Sequence, residues 1–194
     1  MVYFTEERKE ELEEHAIVLD YLHTGKSGAA RSEPSVMLLG ENKFTLLEAA
    51  PKPGAVIKVG ERVYIGKGER DKIALIKLRL HYNELTEVAR NELQVAISSI
   101  IKSNEQRFVD VFNKAGPINI REHSLELLPG VGKKHLQAII KAREEKPFES
   151  LSDISSRVPL LQDPVKLLTD RIIVELKEES RFYLLTRPYG KPHF

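Results

Sequence analysis

The sequence predicts an α+β protein, a small N-terminal β-barrel followed by an α-helical domain. Three observations carry that expectation. Short β-branched runs broken by Gly and Pro fill residues 15–82. After Thr86 the apolar residues recur at three- and four-residue spacings instead. A Pro-Gly-Val-Gly turn, Pro129 to Gly132, then joins two helical patterns. The 194 residues, 41% hydrophobic and 30% charged, suit one large or two small globular domains.

Residues 1–14 read as an acidic helix with Thr5 at its N-cap, where six glutamates outweigh Arg8 and Lys9. It has almost no apolar face, so it is expected as a solvated helix or as an acidic arm over a basic patch. Residues 15–82 carry strand-like runs at Ala16–Leu19, Val36–Leu39, Phe44–Leu47, Val56–Val59 and Arg62–Ile65. Turn punctuation such as Gly40, Pro53-Gly54, Gly60 and Gly66-Lys67-Gly68 separates them. Ile73 to Tyr82 alternates, with Lys77, Arg79 and His81 on one side and Ile76, Leu78, Leu80 and Tyr82 on the other. Strands this short and evenly spaced suit a small closed barrel of the oligonucleotide/oligosaccharide-binding (OB) kind.

Residues 83–116 form a helical connector. Leu93, Ile97, Ile100 and Ile101 make one apolar stripe, and Asn104 caps a second helix whose stripe is Phe108, Val111, Phe112 and Ala115. Residues 117–180 carry further helical patterns at Arg121–Leu127, Lys133–Glu145, Ser150–Arg157 and Pro164–Lys177. The tail, 181–194, interleaves Arg181, Arg187 and Lys191 with aromatic residues and has no acid. Such a tail is expected to be disordered or to fold on RNA.

The turn at Pro129-Gly130-Val131-Gly132 is the sharpest chemical signal. Glycine there permits positive φ and brings no side chain, so backbone N–H groups can face a phosphate. The following helix adds the partial positive charge of its N-terminus. Lys133 and Lys134 stand in its first turn, where the dipole disfavours cations by ~0.3–1 kcal/mol, a conflict that an anionic ligand relieves. On the strand side, Lys67, Arg70, Lys77 and Arg79 beside Tyr64 suit a single strand, held by cations and a stacking ring.

The run from Ile118 through Leu127-Leu128-Pro129-Gly130-Val131-Gly132 to Ala142-Arg143, Pro147-Phe148 and Asp153-Ile154 resembles a helix-hairpin-helix nucleic-acid-binding domain. The resemblance implies sequence-independent contacts from the hairpin amides to a phosphodiester backbone. Leu136 departs from the pattern, which often has a small alanine there. A second, degenerate hairpin follows at Val158-Pro159-Leu160-Leu161-Gln162-Asp163-Pro164. Lacking Gly and carrying Asp163 where an anion would sit, it is expected to be structural. Through Gly60-Glu61-Arg62-Val63-Tyr64-Ile65-Gly66-Lys67-Gly68-Glu69-Arg70-Asp71-Lys72-Ile73, the first hairpin, and Val158-Pro159-Leu160-Leu161 with Asp163-Pro164, the whole chain is similar to an uncharacterised archaeal family of predicted RNA-binding proteins. That similarity implies a barrel, a hairpin domain and an RNA partner, structured or ribosomal, in translation or ribosome assembly.

Other classes fare poorly. With no Cys, disulfides, thiolate zinc sites, iron–sulfur clusters and Cys nucleophiles are excluded. Thr24-Gly25-Lys26-Ser27 resembles the end of a P-loop, but Asp20 stands where its first glycine belongs. The six histidines are scattered, and no nucleophile–base arrangement is spaced for catalysis. A binding protein is therefore expected rather than an enzyme, with no cofactor and no metal. No stretch approaches the ~20 apolar residues of a membrane span, so a soluble, cytoplasmic chain is expected. The formal net charge of +1 conceals an acidic head and basic segments. Duplex DNA and a protein partner stay open as alternatives to RNA.

Overall fold

A computed structural model of the chain describes residues 13–24 and 33–188. The expected acidic helix up to residue 12, residues 25–32 and the end of the tail, 189–194, lie outside the described residues. The chain divides into two compact units, Met1–Arg79 and Leu80–Phe194.

The first unit is an antiparallel sheet of β1 (His15–Leu22), β2 (Ser35–Gly40), β3 (Leu46–Pro51), β4 (Arg62–Tyr64) and β5 (Ile73–Arg79). Its spatial order is β4-β1-β2-β3-β5, curled into a half-barrel. Ala16, Val18, Val36, Leu38 and Ala49 alternate onto one face and pack with Ile57, Val63, Ile65 and Ile73. Their neighbours Ile17, Leu19, Met37 and Leu39 are buried as well, so β1 and β2 read as continuous apolar runs. The closure expected of a full barrel is not made by the described residues, since β4 and β5 are the two edges of the sheet.

Three expectations for this unit are corrected. Val56–Val59 is not a strand: it lies between turns at Gly54 (φ 76°) and Gly60 (φ 81°), and only Ile57 turns into the core. The third strand starts two residues later than Phe44, whose positive φ of 55° ends the turn from β2. The alternation of Ile73 to Tyr82 also fails. Register shifts place Leu78 opposite Glu48 but Ile76 opposite Ala49, and Leu75 opposite Ala50 but Ile73 opposite Pro51. Lys77 and Ala74 are the extra residues of two bulges. Ile73 and Ile76 therefore face the core, while Leu75 and Leu78 are exposed beside Lys77.

The second unit holds α1 (Glu87–Ser103), α2 (Glu105–Lys114), α3 (Lys133–Glu145), α4 (Leu151–Arg157) and α5 (Pro164–Leu176). Helix α1 buries Leu93, Ile97, Ile100 and Ile101 and packs on α5, while α2 buries Phe108 and Phe112 and meets α1, α3 and α4. The connector helices thus share a unit with the hairpin. Asn104 does not cap α2 with its side chain, which donates back to the Ile100 carbonyl at 3.3 Å. The helix expected over Arg121–Leu127 is one 3₁₀ turn, Ser124–Leu127. Before it, Asn119 Oδ1 accepts from the amides of Arg121 (2.8 Å) and Glu122 (3.0 Å), a local turn that competes with helix. His81 lies beyond β5, in the second unit, with Nδ1 3.4 Å from Glu178.

The described part of the tail is ordered. Buried Glu175 of α5 accepts from the amides of Leu184 (2.7 Å), Leu185 (3.0 Å) and Thr186 (2.8 Å). It also takes Arg171 Nε at 2.7 Å, and the same guanidinium reaches the Leu127 carbonyl (3.1 Å), Ser180 Oγ (2.8 Å) and the Phe182 carbonyl. The pair satisfies itself and clamps the tail to α5, so neither charge is left bare in the interior.

Candidate functional site

The hairpin is a turn whose Val131 amide donates to the Leu128 carbonyl at 3.0 Å. Pro129 stands second in it and Gly130 third with φ 83°, the requirements of a type II turn. Val131 drives its side chain into the core. Gly132 then serves as N-cap of α3 with an ordinary φ of −92°. Two expectations need correction: only Gly130 uses the positive φ of glycine, and the Val131 amide is spent within the turn. Among the described residues, the amides of Gly130, Gly132, Lys133 and Lys134 donate to no other protein group.

The start of α3 differs from its neighbours. Thr86, Ser150 and Asp163 cap α1, α4 and α5 with their own side chains, at 3.1, 3.0 and 3.1 Å. Gly132 has no side chain to do this, and a Cβ built on it would meet nothing within 4 Å. Gly132, Lys133 and Lys134 are all exposed, so the first-turn amides of α3 are left to solvent or a ligand, with the helix dipole behind them.

The flanking lysines are not equivalent. Lys133 Nζ sits 2.8 Å from Glu126 Oε1 and 3.2 Å from the Arg121 carbonyl. That contact, followed by the amide of His123 at 3.0 Å, holds the Glu126 carboxyl below its usual range. Lys134 has no hydrogen-bond or ion-pair partner among the described residues. Below the turn, His123 Nδ1 accepts from the Leu125 amide at 3.2 Å. Partial burial, then the charges of Arg143 and Lys133, push its pKa below 6.5 and keep it a neutral acceptor.

The second hairpin repeats the first. Leu161 N–H donates to the Val158 carbonyl at 3.4 Å, Pro159 is second in the turn, and Leu160 takes positive φ, 63°. The two turns are neighbours, since a Cβ on Gly130 would stand 3.8 Å from Gln162 Nε2. Asp163 Oδ1 accepts the Val165 amide, so the carboxylate expected at this anion position does occupy it. Arg143 and Phe148, which carried the resemblance, hold the scaffold together with Asn113 and Arg157. Arg143 donates to the carbonyls of Phe112 and Ala115, both at 2.8 Å, and closes the end of α2. Asn113 pairs both ways with the backbone of Phe148, and Arg157 closes α3 on the Lys146 carbonyl at 2.7 Å.

The basic residues of the sheet unit are spread out. Lys67 is exposed on the loop leaving β4, and Arg70 Nε donates to the Gly66 carbonyl at 2.9 Å. Lys77 and Arg79 lie on β5, at the opposite sheet edge from β4. Tyr64 is occupied: its hydroxyl accepts from the Gly68 amide at 3.1 Å and its ring meets His15 edge-on. A Cβ on Gly66 would stand 2.4 Å from that hydroxyl, so the glycine admits the ring beneath the loop. Sequence reasoning placed Leu160 and Gln162 in the second hairpin without reading the positive φ of the one or the approach of the other to the first turn, and it missed Arg171 and Glu175. The readable signal for Leu160 was the repeated pairing of an apolar residue with Pro at 128–129 and 158–159.

Fold and site together define a mixed α+β protein whose helical unit presents an uncapped, glycine-led helix start beside a second, self-capped hairpin. The chain belongs to the family described as "protein of unknown function (DUF655)", which it matches over residues 12–187. It is 42% identical over 182 residues to the uncharacterized protein MJ0038 of Methanocaldococcus jannaschii, covering 93% of this chain and 82% of that one. The crystal structure of Af1531 from Archaeoglobus fulgidus is similar with a TM-score of 0.85 and 46% identity, covering 90% of this chain and 100% of that one. A stretch of 98 residues, 47% of this chain, is 32% identical to the DNA polymerase III PolC-type of Thermotoga maritima but spans 7% of that protein. Among the described residues no helix is long and apolar enough to cross a membrane.

Proposed function

We propose that this protein binds RNA through its phosphate backbone and is not an enzyme. One observation carries the reading: α3 begins at exposed Gly132 with amides that no protein group among the described residues satisfies. A phosphate there takes several N–H donors, the helix dipole and the Lys134 ammonium at once. On this reading the two turns and their helices form a helix-hairpin-helix unit, the first turn binding and the second supporting. The half-barrel is OB-like, and Lys67, Arg70, Lys77 and Arg79 give it a secondary, dispersed basic surface. Contacts of this kind position a backbone without reading bases, which suits structured or ribosomal RNA in translation or ribosome assembly.

A second reading, duplex DNA, is favoured by the stretch shared with the DNA polymerase III PolC-type. Competition separates the two: a labelled structured RNA is displaced by unlabelled RNA and by duplex DNA of equal length. RNA as the better competitor supports the first reading, and DNA the second. Lys134→Ala should lower the salt slope of log K by about one. Salt-insensitive association, with no RNA retained on purification, would point to a protein adaptor instead.

A further inference from the structure

We propose that Leu160 is an apolar wedge that directs the hairpin edge to RNA carrying an unstacked base, such as a bulge or a helix end. The inference rests on the RNA reading above and names what that edge selects. Leu160 occupies the position that Gly130 holds in the first turn, with φ 63° against 83°. A side chain at positive φ is strained, and glycine is the residue that relieves it. Leu160 is nevertheless 93% exposed, so no packing in the folded chain offsets the strain. The strained conformation at Leu160 thus holds an apolar side chain out in solvent.

Its surroundings indicate the occupant. The turn is next to the one proposed to hold phosphate, since a Cβ built on Gly130 would stand 3.8 Å from Gln162 Nε2. It is not a second phosphate clamp, because Asp163 fills the N-terminus of α5 with a carboxylate. On the RNA reading, a backbone held at Gly132 and Lys134 passes beside the turn that carries Leu160, and the apolar side chain then meets an uncharged part of the same nucleic acid. Within a continuous stem the base faces are stacked and closed to a side chain, and they open at bulges, loops and ends. Ile120 is a second such tip, fully exposed, one residue before the carbonyl that receives Lys133.

The test uses the full chain and two labelled RNAs, a fully paired stem and the same stem with one bulged nucleotide. The wild type should bind the bulged stem about tenfold more tightly, the scale of one well-placed apolar contact. Leu160→Gly should remove that preference, leave affinity for the paired stem unchanged and raise the unfolding temperature. Leu160→Met should keep the preference. Equal binding of the two stems by the wild type, or a preference that survives Leu160→Gly, overturns the wedge while leaving the RNA reading intact. Failure of the wild type to bind either stem overturns the RNA reading and the wedge with it.

Discussion

Gly130 and Gly132 stand two residues apart for different physical reasons. Gly130 has φ 83° and is required by the turn, so Gly130→Ala should destabilise the fold by about 1–2 kcal/mol. Gly132 has φ −92° and open space at its Cβ, so Gly132→Ala should change stability by less than ~1 kcal/mol. Chemical denaturation of the two variants checks the difference. Leu160→Gly should go the other way and stabilise by about 0.5–1 kcal/mol, since strain is relieved and no packing is lost. His123 supplies a pH dependence. Its folded pKa lies below 6.5, so the folded state prefers the neutral ring. That contribution is complete above pH 6.5 and is lost as the pH falls below it, because protonation removes the acceptor for the Leu125 amide. A plot of unfolding temperature against pH should dip below 6.5, and His123→Asn, which keeps a capping acceptor, should flatten that part of the curve.

Among the elements, those set by local periodicity were legible and those set by partners were not. The stripe Leu93, Ile97, Ile100, Ile101 named α1, and Thr86 named its start, because a helix records its buried face within a few residues. The β5 alternation misled because two bulges, invisible in composition, reset which residues face inward. The hairpin was legible as Pro129 to Gly132, but which amides stay open depended on the Leu128 carbonyl, and which lysine stays unpaired depended on Glu126. The tail was the largest miss. The order of its described part, up to residue 188, comes from Glu175, an ordinary helical acid in sequence, burying its carboxylate on three amides that follow the helix. Glu175→Ala would leave Arg171 buried without its partner and should destabilise by about 3–5 kcal/mol. Hydrogen exchange should show the amides of Leu184, Leu185 and Thr186 losing protection in a Glu175→Gln variant that still folds.

For the whole molecule, a net charge of +1 says little about partners. On the proposed reading the site is one that a charge count never registers, neutral backbone donors at the start of α3 followed by Lys134 in its first turn. The proposal predicts a modest, salt-sensitive affinity, falling by ~0.7–0.9 in log K for each phosphate neutralised as log salt rises by one. The decisive variant is Gly132→Asp. Aspartate is a favoured N-cap and should hold or raise the stability of α3 while placing a carboxylate where the phosphate is proposed to sit. The measurement is the affinity of the full chain for a structured RNA, with and without Gly132→Asp, at matched low salt and alongside each protein's unfolding temperature. A loss of tenfold or more in a variant at least as stable as the wild type is the expected result. Unchanged affinity in that folded variant would contradict the assignment of α3 as the phosphate-binding element.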